Sequence, residues 1–120
     1  MAVSKIKYNN KEIILIEYPH NSSREEILSI AKTSSDLIRS FPLDSVYTLT
    51  VFGDFNFDNE TRNEFMHYLN GNKIYVKACA AVGINGLKKI IYNSILLLTQ
   101  RKIKICSTVE EAKRYLDSIN

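Results

Sequence analysis

The chain has 120 residues, the length of one domain, and that is enough to bury a core without disulfide staples. Hydrophobic residues make up 45% and charged residues 24%, the values of a soluble globular protein; no run approaches the roughly 18 apolar residues of a membrane span, and the start "MAVSKIKYNN" has no apolar segment of a secretory signal. Net charge is +3, and the two cysteines, Cys79 and Cys106, fit neither a disulfide framework nor a zinc spacing.

"KIKY", "NN" and "KEIILIEY" predict a hairpin, because Asn9 and Asn10 tolerate left-handed dihedrals between two strand-like runs. The second strand, Ile13 to Tyr18, is nearly all apolar and is expected inside the sheet, with Pro19 ending it. "NSSREEILSIAKTSSDLIRSF" predicts a helix opened by a capping box, Ser23 with Glu26, and closed by Pro42. Its buried face collects Ile27, Ile30, Ala31, Ser34, Ile38 and Phe41.

"VYTLTVFGDF", from Val46, is a β-branched and aromatic third strand ended by Gly53 and Asp54. "DNETRNEFMHYLNG" predicts a short helix with Asp58 as N-cap and Gly71 as C-terminal cap. "KIYVKACAAVG" is a fourth strand. "NGLKKIIYNSILLLTQ" predicts a helix with the stripe Leu87, Ile90, Ile91, Ser94, Ile95 and Leu98, beyond which Leu96 and Leu97 spill. "KIKICS" is a short fifth strand. "STVEEAKRYLDSIN" is a last helix with a second capping box, Thr108 with Glu111, and an inner face of Val109, Ala112, Leu116 and Ile119.

The element order is therefore ββαβαβαβα. Strands alternating with helices imply crossovers and parallel strands, with an antiparallel hairpin strand at one edge. The expected fold is a single-domain α/β protein: a mixed, mostly parallel sheet of about five strands with four flanking helices.

Charge is unevenly spread. Residues 1–70 carry 7 Lys/Arg against 10 Asp/Glu, and residues 71–120 carry 9 against 3. A basic second half can attract an anionic partner or simply be a solvated surface. Both cysteines fall in apolar runs and read as buried reduced thiols, which points to the cytoplasm.

Gly83-Ile84-Asn85-Gly86 draws three functional readings. A phosphate-binding P-loop needs four residues between its glycines and a Lys after the second, where this chain has two residues and Leu87; the dinucleotide fingerprint fails at Ala81. A nucleic-acid-clamping GXXG loop joins two helices, whereas the run before Gly83 reads as a strand. An anion site at a helix N-terminus would use the Asn85 and Gly86 backbone N–H groups with Lys88 beside them. The structural alternative is a tight turn in which Gly83 and Gly86 allow close strand–helix packing and Asn85 is the N-cap; it outweighs the other three.

His20 and His67 belong to no triad or ligand cluster and read as surface residues. Asp54, Asp58 and Glu60 gather after the third strand, at the sheet edge where open α/β folds bind ligands. They could hold a metal, but capping and turn chemistry explains them more simply.

"VKACAAVGINGLKKIIYNSILLLTQRKIKICSTVEEAKRYL" resembles the STAS-like family, small domains related to sporulation anti-sigma-factor antagonists. The residues that carry the resemblance are Ala81-Val82-Gly83, Gly86-Leu87-Lys88-Lys89, and Glu110-Glu111-Ala112 through Leu116. The resemblance implies a mixed sheet flanked by helices, no enzyme activity and no cofactor. It also implies a partner-controlling serine in an Asp-Ser-Ser-Gly-like turn between the third strand and the next helix. Here that place holds Asp58-Asn59-Glu60-Thr61, without the serine or the glycine. Related folds hold apolar ligands.

The expectation is thus a non-enzymatic, cytoplasmic protein-interaction or regulatory module without the serine phospho-switch. Its binding residues are drawn from Asp54, Asp58, Thr61, Gly83, Asn85, Gly86 and Lys88. The alternative is a small binder of an apolar or lipid-like ligand, motivated by Leu96 and Leu97, which a homodimer interface or deep core would explain equally. An enzyme using Asp54, Asp58 and Glu60 and, last, a nucleic-acid binder rank below both.

Overall fold

A computed structural model describes residues 2–55, 58–84 and 103–119. The hairpin forms as expected. Strand β1, Val3–Tyr8, runs antiparallel to β2, Lys11–Tyr18, with Tyr8 opposite Lys11. Asn9 and Asn10 both take positive φ, 49° and 71°, the backbone that a two-residue turn needs to follow the strand twist.

Helix α1, Arg24–Ile38, begins at Ser23, whose hydroxyl accepts the Glu26 N–H while the Glu26 carboxylate accepts the Ser23 N–H. It stops before Phe41 and Pro42: Arg39 caps it, and Ser40 and Phe41 turn back on Leu37 and Ile38. Strand β3, Val46–Phe52, follows. Helix α2, Asn59–Asn72, starts at the expected cap Asp58. Its end differs from the sequence expectation, because Gly71 lies within the helix and Lys73 is the C-cap. Gly71 sits under the Arg39 guanidinium, where a Cβ would come 2.3 Å from Nη2. Its missing side chain makes room for a neighbour rather than ending the helix.

Strand β4 is Val76–Val82 and β5 is Lys104–Cys106. Helix α3, Val109–Asp117, has Thr108 as N-cap. The expected second capping box is modified: Thr108 accepts the Glu111 N–H, but the Glu111 carboxylate reaches past it to the Ser107 N–H, at 2.8 Å. The predicted helix from Asn85 to Gln100 lies outside the described residues, which hold three helices.

The sheet is mixed, five strands in the order β1-β2-β3-β4-β5. β1 is antiparallel to β2, and β2, β3, β4 and β5 run parallel. Because neighbours in the sheet are also neighbours in sequence, crossovers of one hand fall on one face. Accordingly α1 and α2 pack against each other and on the same side. The α3 helix covers the opposite side, over β3, β4 and β5.

Strand alternation divides the core in two. Ile14, Ile16, Tyr18, Phe52 and Ala81 join Ile27, Ile30 and Ile38 of α1 and Phe65 and Leu69 of α2. Ile13, Leu49, Ala78, Ala80 and Val82 join Ala112 and Leu116 of α3. β2 is covered on both faces, which is why it reads as almost unbroken apolar sequence.

Lys11 ties the hairpin to the end of α3. Its ammonium donates to the carbonyls of Leu116 at 2.9 Å, Asp117 at 3.2 Å and Ile119, and it lies 4.4 Å from the Tyr47 ring centroid. The carbonyls at a helix end lack intrahelical partners and carry partial negative charge, so a cation there satisfies both needs.

Candidate functional site at the carboxyl edge of the sheet

All four parallel strands end at one edge, and α1, α2 and α3 begin there. Two loops at this edge are locked together through their backbones. Gly53 N–H donates to the Tyr18 carbonyl at 2.8 Å, and Asn21 N–H donates to the Asp54 carbonyl at 2.6 Å. His20 Nδ1 accepts the Asp54 N–H at 2.9 Å. Asn21 takes a left-handed φ of 57°, and Ser22 Oγ donates to the Pro19 carbonyl at 2.6 Å, which tightens the turn.

Glycine is required at two contacts. A Cβ on Gly53 would lie 2.5 Å from the His20 nitrogen, so any side chain would push the loops apart. Gly83 has φ 90°, and a Cβ there would lie 2.1 Å from the Phe52 carbonyl oxygen. Gly83 is thus in close approach to the end of β3; the helix against which the sequence predicts close packing lies outside the described residues. Asn85, Gly86 and Lys88, the rest of the predicted loop, lie outside the described residues, as do Leu96 and Leu97.

The three candidate carboxylates have separate tasks. Asp58 Oδ1 accepts the Thr61 N–H at 2.7 Å, and this backbone bond, helped by the Thr61 hydroxyl, holds the carboxyl below the usual carboxylate range. Glu60 pairs with Arg24 at 2.8 Å, and Glu64 pairs with the same guanidinium at 2.7 Å, bridging α1 and α2. Asp54 belongs to the interlocked loops. Among the described residues no three His, Cys, Asp or Glu side chains come together as a metal site. Thr61 is 1% exposed inside the first turn of α2.

Beneath the loops lies an aromatic cluster. Tyr18 stacks on Phe52 with centroids 5.2 Å apart and planes 4° from parallel, and Phe55 and Phe65 tilt against both. Burial, with a smaller contribution from Tyr68, pushes the Tyr18 phenol well above its ordinary range, so it stays neutral. Two features escaped the sequence reading. One is the pairing of His20 and Asn21 with Asp54, which joins residues far apart in sequence. The other is a cavity of about 30 Å³ below the aromatic cluster, where Ser34, Ser35, Thr48, Thr50 and Asn72 interrupt a lining that is otherwise mostly apolar, with Ile16, Ile38 and Leu69. The signal for it was present in "VYTLTVF", where Thr48 and Thr50 alternate with Leu49, and in the Ser34-Ser35 pair.

The cavity wall is organised by Asn72. Its Nδ2 donates to Ser35 Oγ at 3.0 Å, and its Oδ1 accepts from Arg39 Nε at 3.0 Å. A space of this size holds a water or two. Small-molecule pockets run to about 300–1,000 Å³.

Compared with family models, with curated proteins and with solved structures, the chain matches none. What is established is an α/β fold with a five-stranded mixed sheet whose parallel strands deliver a braced loop pair to one edge. No helix among the described residues is long and apolar enough to cross a membrane.

Proposed function

We propose that the chain is a non-enzymatic protein-interaction module of STAS-like type that docks a partner on the carboxyl edge of its sheet. The observation that carries this reading is the interlocking of residues 18–22 with residues 53–54. It presents His20, Asn21 and Asp54 on a surface already fixed by backbone bonds, so little ordering is left to oppose binding. The rim is net acidic: Glu25, Glu26, Asp58, Glu60, Glu110 and Glu111 lie in or next to the first turns of the three helices, with Arg24 among them paired to Glu60. Acidic first turns favour the helices themselves. Gathered on one edge, they also suit a basic partner surface.

The mixed sheet flanked by helices is what the STAS-like resemblance implies, and two buried, unbonded cysteines suit a reducing cytoplasm. The module works without the serine phospho-switch. The place of the switch turn holds the Asp58 cap, and Thr61 is buried where a kinase does not reach it. The alternative, an apolar-ligand binder, has its motive in Leu87–Leu98, outside the described residues, and the described cavity is too small for an acyl chain.

A pull-down with the tagged chain tests the module. We expect a specific protein partner, and at least tenfold weaker recovery with Glu25→Arg plus Asp54→Arg in a variant whose circular dichroism is unchanged. Recovery of no specific partner sinks the proposal. Native mass spectrometry beside the denatured mass separates the readings, since an added mass of lipid size would favour the ligand binder.

A further inference from the structure

The opposite end of the molecule, where β3 and β4 begin, has a different character. Leu43 and Ile74 are the exposed large hydrophobic residues among those described, at 62% and 60%. They are neighbours in space: Asp44 N–H donates to the Ile74 carbonyl at 2.9 Å, and the Ser45 and Val46 N–H groups both donate to Tyr75 O at 3.0 Å. Each tip rests on a braced turn. Asp44 has a left-handed φ of 53° and Ser45 Oγ donates to the Pro42 carbonyl at 2.7 Å; Tyr75 N–H donates to the Asn72 carbonyl at 3.0 Å.

Cations flank the pair. Lys73 directly precedes Ile74. Lys77 is exposed at the irregularity where β4 passes from Val76 to Ala78 while β3 advances one residue. Arg39, held to Asn72, lies at the same end of α2. Asp44 places a carboxylate beside Ile74, and Lys73, Lys77 and Arg39 outnumber it.

We infer that this end is a docking surface for an anionic lipid membrane, with Leu43 and Ile74 entering the acyl boundary and Lys73, Lys77 and Arg39 meeting the headgroups. Charge complementarity favours an anionic occupant. Shape favours a fluid one. Two exposed aliphatic side chains offer far less than the roughly 1,000 Å² that a stable protein interface buries, whereas interfacial insertion needs apolar side chains beside basic ones and no matching surface. The docking edge proposed above faces away from such a membrane, so both surfaces can be occupied together.

The chain has no tryptophan, so Leu43→Trp gives a single reporter at the tip. The test adds vesicles of phosphatidylcholine, with or without phosphatidylserine, to the full chain. We expect co-sedimentation and a blue shift of Trp emission only when phosphatidylserine is present. Lys73→Glu with Lys77→Glu should weaken partitioning by about tenfold or more. Leu43→Ser with Ile74→Ser should abolish the stable association while leaving the fold intact, because both positions are exposed. Absence of co-sedimentation at low salt overturns the inference. So does binding that survives Leu43→Ser with Ile74→Ser, since charge alone would then hold the protein. A blue-shifted emission and doubled mass without vesicles would assign the tips to a second copy of the chain and overturn it equally.

Discussion

The two faces of the sheet come from the same strands, one residue out of phase, yet they are packed by different rules. Under α3 the sheet contributes Ile13, Leu49, Ala78, Ala80 and Val82, and the helix answers with Ala112 and Leu116. Small alanines in β4 let this nine-residue helix approach closely, and Lys11 fastens its last turn. Under α1 and α2 the sheet contributes Thr48 and Thr50 in the middle of the face, opposite Ser34, Ser35 and Asn72, and these groups enclose a cavity. Among the described residues one short helix meets this face, and the cluster beneath it is apolar. Two longer helices, joined to each other by Arg24 with Glu60 and Glu64 and by the Asn72–Ser35 bond, can span a gap that carries polar groups.

Leu49→Thr breaks this comparison most severely. Leu49 is fully buried beneath α3. The substitution removes packed methyl groups and places a hydroxyl where no polar partner faces it, a loss of about 3 kcal/mol or more. The urea midpoint should fall accordingly with an unchanged slope. A loss under about 1 kcal/mol would mean that this face accepts polarity as readily as the other.

Much of this division was legible in the sequence. The Asn9-Asn10 turn, the Ser23–Glu26 cap, the Asp58 cap, the apolar run of β2 and the β-branched, aromatic run of β3 are local, and each is written within a few residues. The α/β class followed from their order. The cavity was not legible, because it depends on Thr48 and Thr50 of one strand meeting Ser34 and Asn72 of two helices. The braced loops were hidden for the same reason: Gly53 reads as a strand terminator, and only the fold brings it against His20. Gly71 shows the reverse error, a glycine that looks like a helix end and instead makes room for Arg39.

Those two glycines give the next contrast. Gly53→Ala drives a methyl into the backbone of Pro19 and His20, neither of which can rotate away. We expect a loss of about 1–3 kcal/mol, together with faster amide exchange at Asn21 and Asp54. Gly71→Ala meets only the flexible end of Arg39, and it gains up to about 1 kcal/mol of helix preference. The thermal midpoint should therefore drop for the first and hold or rise for the second. Equal losses would show that the loop contact has no special rigidity.

Alkaline titration sharpens the picture of the α1/α2 face. Tyr18 is buried, and its phenol is raised above the unfolded value of about 10. An acid raised by folding supports the native state fully below the unfolded pKa, and that support is lost as pH rises toward the folded pKa. Above pH 10 the native chain should lose about 1 kcal/mol of stability per pH unit through this residue. Tyr18→Phe removes that dependence. Denaturant midpoints measured from pH 9 to 11 should fall less steeply in the variant; parallel slopes would place the phenol in contact with solvent.

The smallest effect belongs to Thr48→Val and Thr50→Val, and its smallness is informative. Both residues are buried, at 2% and 8% exposure, and both line the cavity. Valine keeps the shape of threonine and its strand preference, so no methylene-sized hole is made. What changes is one hydroxyl facing a space that fits a water or two. If water occupies that space, losing one of its several partners costs within about 1 kcal/mol, because the remaining hydroxyls and the Asn72 side chain still hold it. The double variant should cost more than the sum of the single ones, since a water needs two or more polar partners to stay. Additive effects, or stabilisation by both valines together, would mean that the cavity is dry and that its hydroxyls are tolerated rather than used. The comparison with Leu49, one residue away in β3, then becomes a direct measure of how differently two sides of one strand treat a single oxygen atom.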